Sequence, residues 1–163
     1  MNFAVQEKAT LIETPTSAPR ISHIDVSLLL VRVIVGIIFM AHGGQKLFGL
    51  WGGMGLATTM EKMGPVLGFL VTIGEFFGGL GLVLGVLTRF SAASLIVIMM
   101  GAIALAHGKN GFFLSNEGYE YNLALIGLCL PVLISGAGLL SLGRYLPFLP
   151  KSRDRSRPAA WIE

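Results

Sequence analysis

The sequence predicts an all-α membrane protein: a four-transmembrane-helix antiparallel bundle with a short interfacial helix in the first outer loop. Three observations lead to this fold class. Of 163 residues, 53% are hydrophobic and 13% are charged, whereas soluble domains carry about twice that charged fraction. Four apolar stretches of helical length follow one another along the chain. No stretch shows the two-residue alternation of a half-buried β-strand.

The second apolar stretch, residues 65–87, contains a charged residue around which the other helices must pack. As a helix it would be about 34 Å long, which exceeds the roughly 30 Å of a bilayer's hydrocarbon core. Near its middle lies Glu75, and a carboxylate at that depth costs about 2.5–3.5 kcal/mol. Gly68, Thr72 and Gly79 recur on the same helix face as Glu75. We therefore expect Glu75 to face the bundle and not the lipid.

The other three spans are predicted by the same criterion of length and apolar composition. They cover residues 24–41, 90–106 and 121–142. Arg32 lies inside the first span, and Pro131 should kink the fourth.

The first outer loop, residues 47–64, contains an amphipathic pattern. Leu56, Met60 and Met63 recur at helical spacing, which predicts a short helix lying in the membrane interface. Pro65 follows directly and suits the first turn of the next helix.

The distribution of basic residues predicts the topology. In a four-span arrangement one side would hold Lys8, Arg20, Arg89, Arg144, Lys151, Arg153, Arg155 and Arg157, and the other Lys46, Lys62 and Lys109. This bias predicts that both termini lie in the cytoplasm. Residues 1–22 are then a disordered cytoplasmic tail, 23–146 the transmembrane domain and 147–163 a basic cytoplasmic tail.

The polar residues within the spans predict a site. Counted from the cytoplasmic ends, His42, His107 and Glu75 could share an outward-facing cavity. We take these three as candidate catalytic residues. The candidate substrate-binding residues are Arg32, Lys46, Phe112, Phe113 and Glu120.

Each candidate also has a structural interpretation. Glu75 could simply lock helix packing, and Arg32 could pair with it or extend to the headgroups. Lys46 fits an ordinary boundary charge. Phe112 and Phe113 fit an aromatic belt as well as a ring-stacking quinone site.

The sequence does not identify a cofactor. Cys129 is the single cysteine, so the chain has no CxxC pair and no cysteine-built metal site, and we expect no metal. A quinone is compatible with the pattern. Haem is disfavoured because the spacing of His42 and His107 is generic.

Several stretches together resemble the DoxX family of small four-span bacterial membrane proteins. They are RVIVGIIFMAHGGQK (32–46), Gly-Pro at 64–65, Gly-Glu at 74–75, Leu-Thr-Arg at 87–89, NGFF (110–113) and SGAGLLSLG (135–143). The resemblance covers about residues 26–143. The family's closing motif more often reads GPG followed by SLD, where this chain has Ala137 and Gly143. The resemblance implies a four-helix bundle in the inner (plasma) membrane of a bacterial cell, associated with respiratory or redox-stress chemistry.

Two main functions fit these features. In the first, the protein is a subunit of a quinone-linked or redox-stress oxidoreductase system, and a partner protein brings the electrons. In the second, it is a non-catalytic scaffold or assembly factor that recruits a soluble oxidoreductase. A small-solute carrier is the weaker alternative. The expected partners are the lipid bilayer, an oxidoreductase or respiratory subunit, and further copies of the chain, with no nucleic acid.

Overall fold

The computed structural model describes residues 20–146, and within them it contains helices and turns but no strand. The α-helices are α1 (His23–Phe48), α2 (Gly55–Met63), α3 (Pro65–Leu84), α4 (Thr88–Ala102) and α5 (Glu120–Ser135). The all-α class is confirmed. Most of both predicted tails lies outside the described residues.

Helix α1 is longer than the predicted first span. A capping box begins it: the Ser22 hydroxyl accepts from the Asp25 N–H, and the Asp25 carboxylate accepts from the Ser22 N–H. The helix then continues through the glycine pair at 43–44 to Phe48, whereas we expected the span to end at residue 41. Gly43 lies inside the helix, where its missing side chain allows the close contact with α3 that is described below.

The predicted amphipathic helix is present as α2, and it packs on the first turn of α3. A Cβ on Gly68 would lie 2.8 Å from the Cα atom of Met60, so the two backbones touch there. Thr59 is buried, and its hydroxyl donates to the Gly55 carbonyl over 2.8 Å. The position of α2 relative to a membrane surface stays a prediction.

Helices α3 and α4 form the expected hairpin, although α3 ends three residues early. Gly85 takes a left-handed conformation (φ 70°) that ends α3. Gly74, Gly78 and Gly81 face α4, where added Cβ atoms would approach Ile98, Leu95 and Ser91. Beyond α4 the chain makes a π-helical turn, Ile103–His107.

Helix α5 is shorter than the predicted span of residues 121–142. It has 16 residues, with Pro131 inside, and ends where Gly136 takes φ 78°. Its length of about 24 Å is less than a hydrocarbon core of about 30 Å. Within residues 20–146, three helical segments are long and apolar enough to cross a membrane: His23–Phe48, Pro65–Leu84 and Thr88–Asn110. The crossing by α5, and hence the count of four spans, stays a prediction.

The helices enclose one apolar core and expose apolar side chains outward. The buried residues are Val35, Phe39, Leu82, Ala92, Leu95, Met99, Leu125, Cys129 and Val132. The exposed apolar residues include Ile34, Ile37, Leu70, Phe77, Val97, Leu105 and Ile134. An outward apolar surface on every long helix is typical of contact with lipid. The protein is a membrane protein with several apolar helices.

The bundle has two ends, for which we use fixed names. At the terminal end, the start of α1, the α3–α4 turn and the end of α5 meet: Asp25 accepts from the Leu139 N–H and Arg89 donates to the Ile134 carbonyl. At the loop end, α2 and residues 107–119 join the helices.

Candidate functional site

The carboxylate of Glu75 lies between α1 and α3 and is paired with Lys46. The Lys46 Nζ donates to Glu75 Oε2 over 2.5 Å. Glu75 is 4% exposed, whereas the Lys46 side chain is 24% exposed. The expectation that Glu75 faces the bundle is confirmed. The pair therefore links a buried acid to a base that is still accessible from outside the protein.

Three glycines bring the two helices close enough for this pair. A Cβ on Gly43 would lie 2.5 Å from the Phe76 backbone nitrogen, and a Cβ on Gly36 would lie 2.7 Å from the Gly79 carbonyl oxygen. Neither position has room for a side chain, so α1 and α3 touch backbone to backbone. Lys46 lies one turn beyond Gly43 on α1, and its side chain thus meets Glu75 one residue before Phe76.

Two interpretations from the sequence need correction here. Lys46 is not an ordinary boundary charge, because it is the ion-pair partner of Glu75. Arg32 does not extend to Glu75. It lies about 21 Å from Lys46 along α1, and its Nη2 donates to the Leu140 carbonyl over 2.6 Å at the terminal end.

The two candidate histidines contact other groups. The His42 ring lies at the exposed surface of α1 and meets the Tyr121 ring edge-on, with centroids 6.1 Å apart. His107 Nδ1 donates to the Glu117 carbonyl over 2.7 Å, which fixes the ring against its own loop. Neither contact includes Glu75, and the catalytic roles of both histidines stay predictions.

The remaining candidates are gathered in the loop between α4 and α5. Glu120 Oε1 accepts from the Leu114 N–H over 2.7 Å. The ring of Phe112 meets the rings of Phe113 and Tyr119 edge-to-face, at 5.4 and 5.5 Å. This loop is compact, and the structure places its aromatic residues against one another. Their proposed contact with a substrate stays untested.

A row of aromatic rings beside the ion pair was missed from the sequence. The Phe76 ring meets Phe48 at 5.4 Å and Phe77 at 5.3 Å, both edge-to-face. Phe48 and Phe77 are exposed on the outside of the bundle. The signal was present, because Phe76 and Phe77 directly follow Glu75 in the sequence.

An apolar groove runs along α3 and α4 next to this row. It has a volume of about 390 Å³, and Phe77 is one of its lining residues. The other lining residues include Ile73, Gly78, Leu80, Leu84, Leu87 and Phe90. Its composition suits an alkyl or isoprenoid chain.

The chain offers few ligands for a metal. Among residues 20–146 there is no group of three or more histidine, cysteine or acidic side chains placed to hold a metal ion. Cys129 lies buried in α5.

Comparisons with known proteins bear on the family. The sequence model of the DoxX family matches residues 27–108. The inner membrane protein YqjF of Escherichia coli is 33% identical over 125 residues, covering 75% of this chain and 93% of YqjF. A protein of Bacillus subtilis named "Putative oxidoreductase CatD" is 28% identical over 141 residues, 83% of this chain and 96% of CatD. The uncharacterized membrane protein Rv3486 of Mycobacterium tuberculosis is 33% identical over 146 residues, 80% and 88% of the two chains. No solved structure matches the chain.

Proposed function

Because the chain belongs to the DoxX family of membrane proteins, we propose that it is the membrane subunit of a quinone-linked or redox-stress oxidoreductase system. The ion pair of Lys46 and Glu75 is its chemical site. One relative carries the name of an oxidoreductase, which supports the class of reaction.

The single observation that carries the proposal is the buried pair itself. A carboxylate in the middle of an apolar helix is costly to maintain, and a pair of apolar side chains would fill the same space at no loss of stability. Glu75 and Lys46 are hydrogen-bonded, so a proton can pass between them. Lys46 is partly exposed near the end of α1, where water can reach it.

The pair suits the proton chemistry of quinone reduction. Conversion of a quinone to a quinol takes up two electrons and two protons. The electrons come from a partner oxidoreductase. In the proposed step, the Lys46 ammonium donates a proton to a carbonyl oxygen of the quinone as the partner's electrons arrive, and Glu75 neutralises and positions that ammonium through their hydrogen bond. Water at the loop end then returns a proton to Lys46 for the second transfer.

The surroundings offer a way in from the bilayer. The row of Phe48, Phe76 and Phe77 leads from the lipid-exposed surface to the residue next to Glu75. An aromatic headgroup can stack along such a row, and an isoprenoid tail fits the apolar groove that begins at Phe77. We further propose that all four long apolar segments cross the membrane and that both termini are cytoplasmic, so that the pair opens to the outer side.

The scaffold alternative has support of its own. Trp51 lies in the turn between α1 and α2 and is 74% exposed. It adopts a left-handed conformation (φ 49°), which costs energy for a side chain of this size. A strained, exposed tryptophan at the loop end is a suitable contact for a partner protein.

One experiment separates these functions. Membranes containing the wild-type chain, Glu75→Gln or Trp51→Ala are treated with a crosslinker, and captured partners and quinone reduction are both measured. We expect Glu75→Gln to retain the partner and to lower quinone reduction at least about tenfold, because Lys46 loses the charged hydrogen bond that positions its ammonium. If Glu75→Gln leaves reduction unchanged while Trp51→Ala loses the partner, the scaffold function is correct.

A further inference from the structure

Arg32 is a buried cation whose hydrogen-bonding capacity is mostly unused. It is 1% exposed, and one bond satisfies its Nη2, to the Leu140 carbonyl. Its Nε and Nη1 have no hydrogen-bond partner among residues 20–146. A guanidinium presents five N–H groups in a rigid fork, and unsatisfied buried donors of this kind are rare and costly.

The backbone at the end of α3 leaves space for this guanidinium. Gly85 ends α3, and its missing side chain leaves the space that Nη1 occupies: a Cβ there would collide with this nitrogen. The nearby end of α3 contributes a partial negative charge. Asp25, the acidic residue two turns earlier on α1, is engaged by Ser22 and the Leu139 N–H. The C-terminal end of α3 thus partly compensates the charge of Arg32.

A cavity of about 450 Å³ opens beside Arg32 at the terminal end. A second cation, Arg144, lines it together with Ser141 and Tyr145. Arg144 is exposed, and its Nη1 donates to the Leu139 carbonyl over 2.7 Å. The remaining lining residues are mainly apolar, among them Ile21, Leu29, Val83 and Leu84. Two arginines, a hydroxyl and an apolar wall describe a receptor for an anion attached to an apolar chain.

We propose that this cavity binds a phosphate group through Arg32 and Arg144. Arginine forks match the oxygens of phosphate, and the ligand would satisfy donors of Arg32 that the protein leaves open. The source is either the headgroup of an anionic phospholipid or free phosphate. The structure favours the lipid, since Leu84 lines both this cavity and the apolar groove on α3 and α4, which can take an acyl chain. This site is independent of the Lys46–Glu75 pair at the other end of the bundle.

The test is native mass spectrometry of the purified full chain in a neutral detergent. Three probes are titrated separately: phosphatidylglycerol, phosphatidylcholine and inorganic phosphate. The variants are Arg32→Gln, Arg144→Gln and, as a matched control, Arg89→Gln. Arg89 is also a terminal-end arginine that donates to a backbone carbonyl, but it does not line the cavity. Circular dichroism checks that each variant keeps its helix content.

We expect phosphatidylglycerol to be retained in preference to phosphatidylcholine. Arg144→Gln and Arg32→Gln should each weaken that retention about tenfold, the loss expected for one charge-assisted hydrogen bond, and Arg89→Gln should leave it unchanged. If Arg32→Gln fails to fold, the exposed Arg144 alone decides the matter. Binding of inorganic phosphate with the same dependence on Arg144 would support the site and assign the free anion as its source. Equal retention of both lipids without phosphate binding, or an equal loss in Arg89→Gln, would overturn the proposal.

Discussion

Lys46 on α1 and Glu75 on α3 form a hydrogen-bonded ion pair, 2.5 Å long, between two helices that touch backbone to backbone. The pair is an ionic contact in a bundle whose core is mainly apolar. Each group neutralises the charge of the other. A substitution that removes one of them should therefore change both the stability of the protein and the proposed proton chemistry of the pair.

A double-mutant cycle should expose this dependence. We expect Lys46→Met to lower the free energy of unfolding by about 3–5 kcal/mol, since it leaves the buried Glu75 carboxylate without its partner. Glu75→Met should cost less, because the Lys46 ammonium that remains is partly exposed to solvent. The double variant should be close to the wild type, because two apolar side chains then occupy the space. Unfolding in mixed detergents measures all three, with Lys62→Met on the exposed surface of α2 as the control. Additive losses would show that the two groups do not interact.

Gly43 should be intolerant of any side chain. We expect Gly43→Ala to cost about 1–3 kcal/mol, the range for overpacking, because its Cβ would lie 2.5 Å from the Phe76 nitrogen. Gly127→Ala on α5 is the matched control, since a Cβ there has no atom within 4 Å, and we expect no loss from it. Thermal unfolding compares the two; equal stability would mean that α1 and α3 do not touch at this point.

Asp25 holds the segment after α5 in place. Its carboxylate caps α1 and also accepts from the Leu139 N–H over 2.8 Å. Asp25→Ala should cost about 1–3 kcal/mol, the penalty for leaving buried donors unsatisfied, and should speed hydrogen exchange at Leu139. Asp25→Asn keeps one acceptor oxygen, whereas both oxygens of Asp25 accept hydrogen bonds, one from Leu139 and one from Ser22, so it should recover only part of the loss. An unchanged exchange rate at Leu139 in Asp25→Ala would contradict this contact.

His107 should stabilise the loop between α4 and α5. Its Nδ1 donates to the Glu117 carbonyl, and the Asn110 amide donates to the same oxygen over 3.3 Å. We therefore expect His107→Ala to accelerate hydrogen exchange across residues 111–119, while His42→Ala, on the exposed face of α1, leaves that exchange unchanged. If His107→Ala leaves the loop protected and instead abolishes quinone reduction, the histidine has the catalytic role predicted from the sequence.

The fold class was accessible from the sequence because long apolar stretches and glycine-bounded turns are local signals. The face on which Glu75 lies was equally accessible, since Gly68, Thr72 and Gly79 mark it at helical spacing. The ends of the helices were harder to predict from the sequence. The glycines at 43–44 looked like a terminus, but Gly43 is needed for contact with another helix, and this distinction depends on the partner's position.

The partners of the charged residues could not be obtained from depth alone. Arg32 and Lys46 both lie on α1, and counting residues placed neither beside a particular atom. The pairing of Lys46 with Glu75 follows from the register of α1 against α3, which glycine contacts set. The hydrogen bond from Arg32 to the Leu140 carbonyl depends on where α5 ends. Because α5 ends at Ser135, the segment that follows it lies at the terminal end, within reach of Arg32.

The most direct test of the proposed quinone site is the affinity of the purified protein for a soluble quinone headgroup analogue, measured for wild type, Glu75→Gln and Glu61→Gln. Glu61 is the control because it is an exposed acid on α2 that undergoes the same substitution outside the ion pair. We predict that the wild type and Glu61→Gln bind equally and that Glu75→Gln binds at least about tenfold more weakly, the loss of one charged hydrogen-bonding group. Equal binding by all three proteins, or no binding by the wild type, would contradict the account.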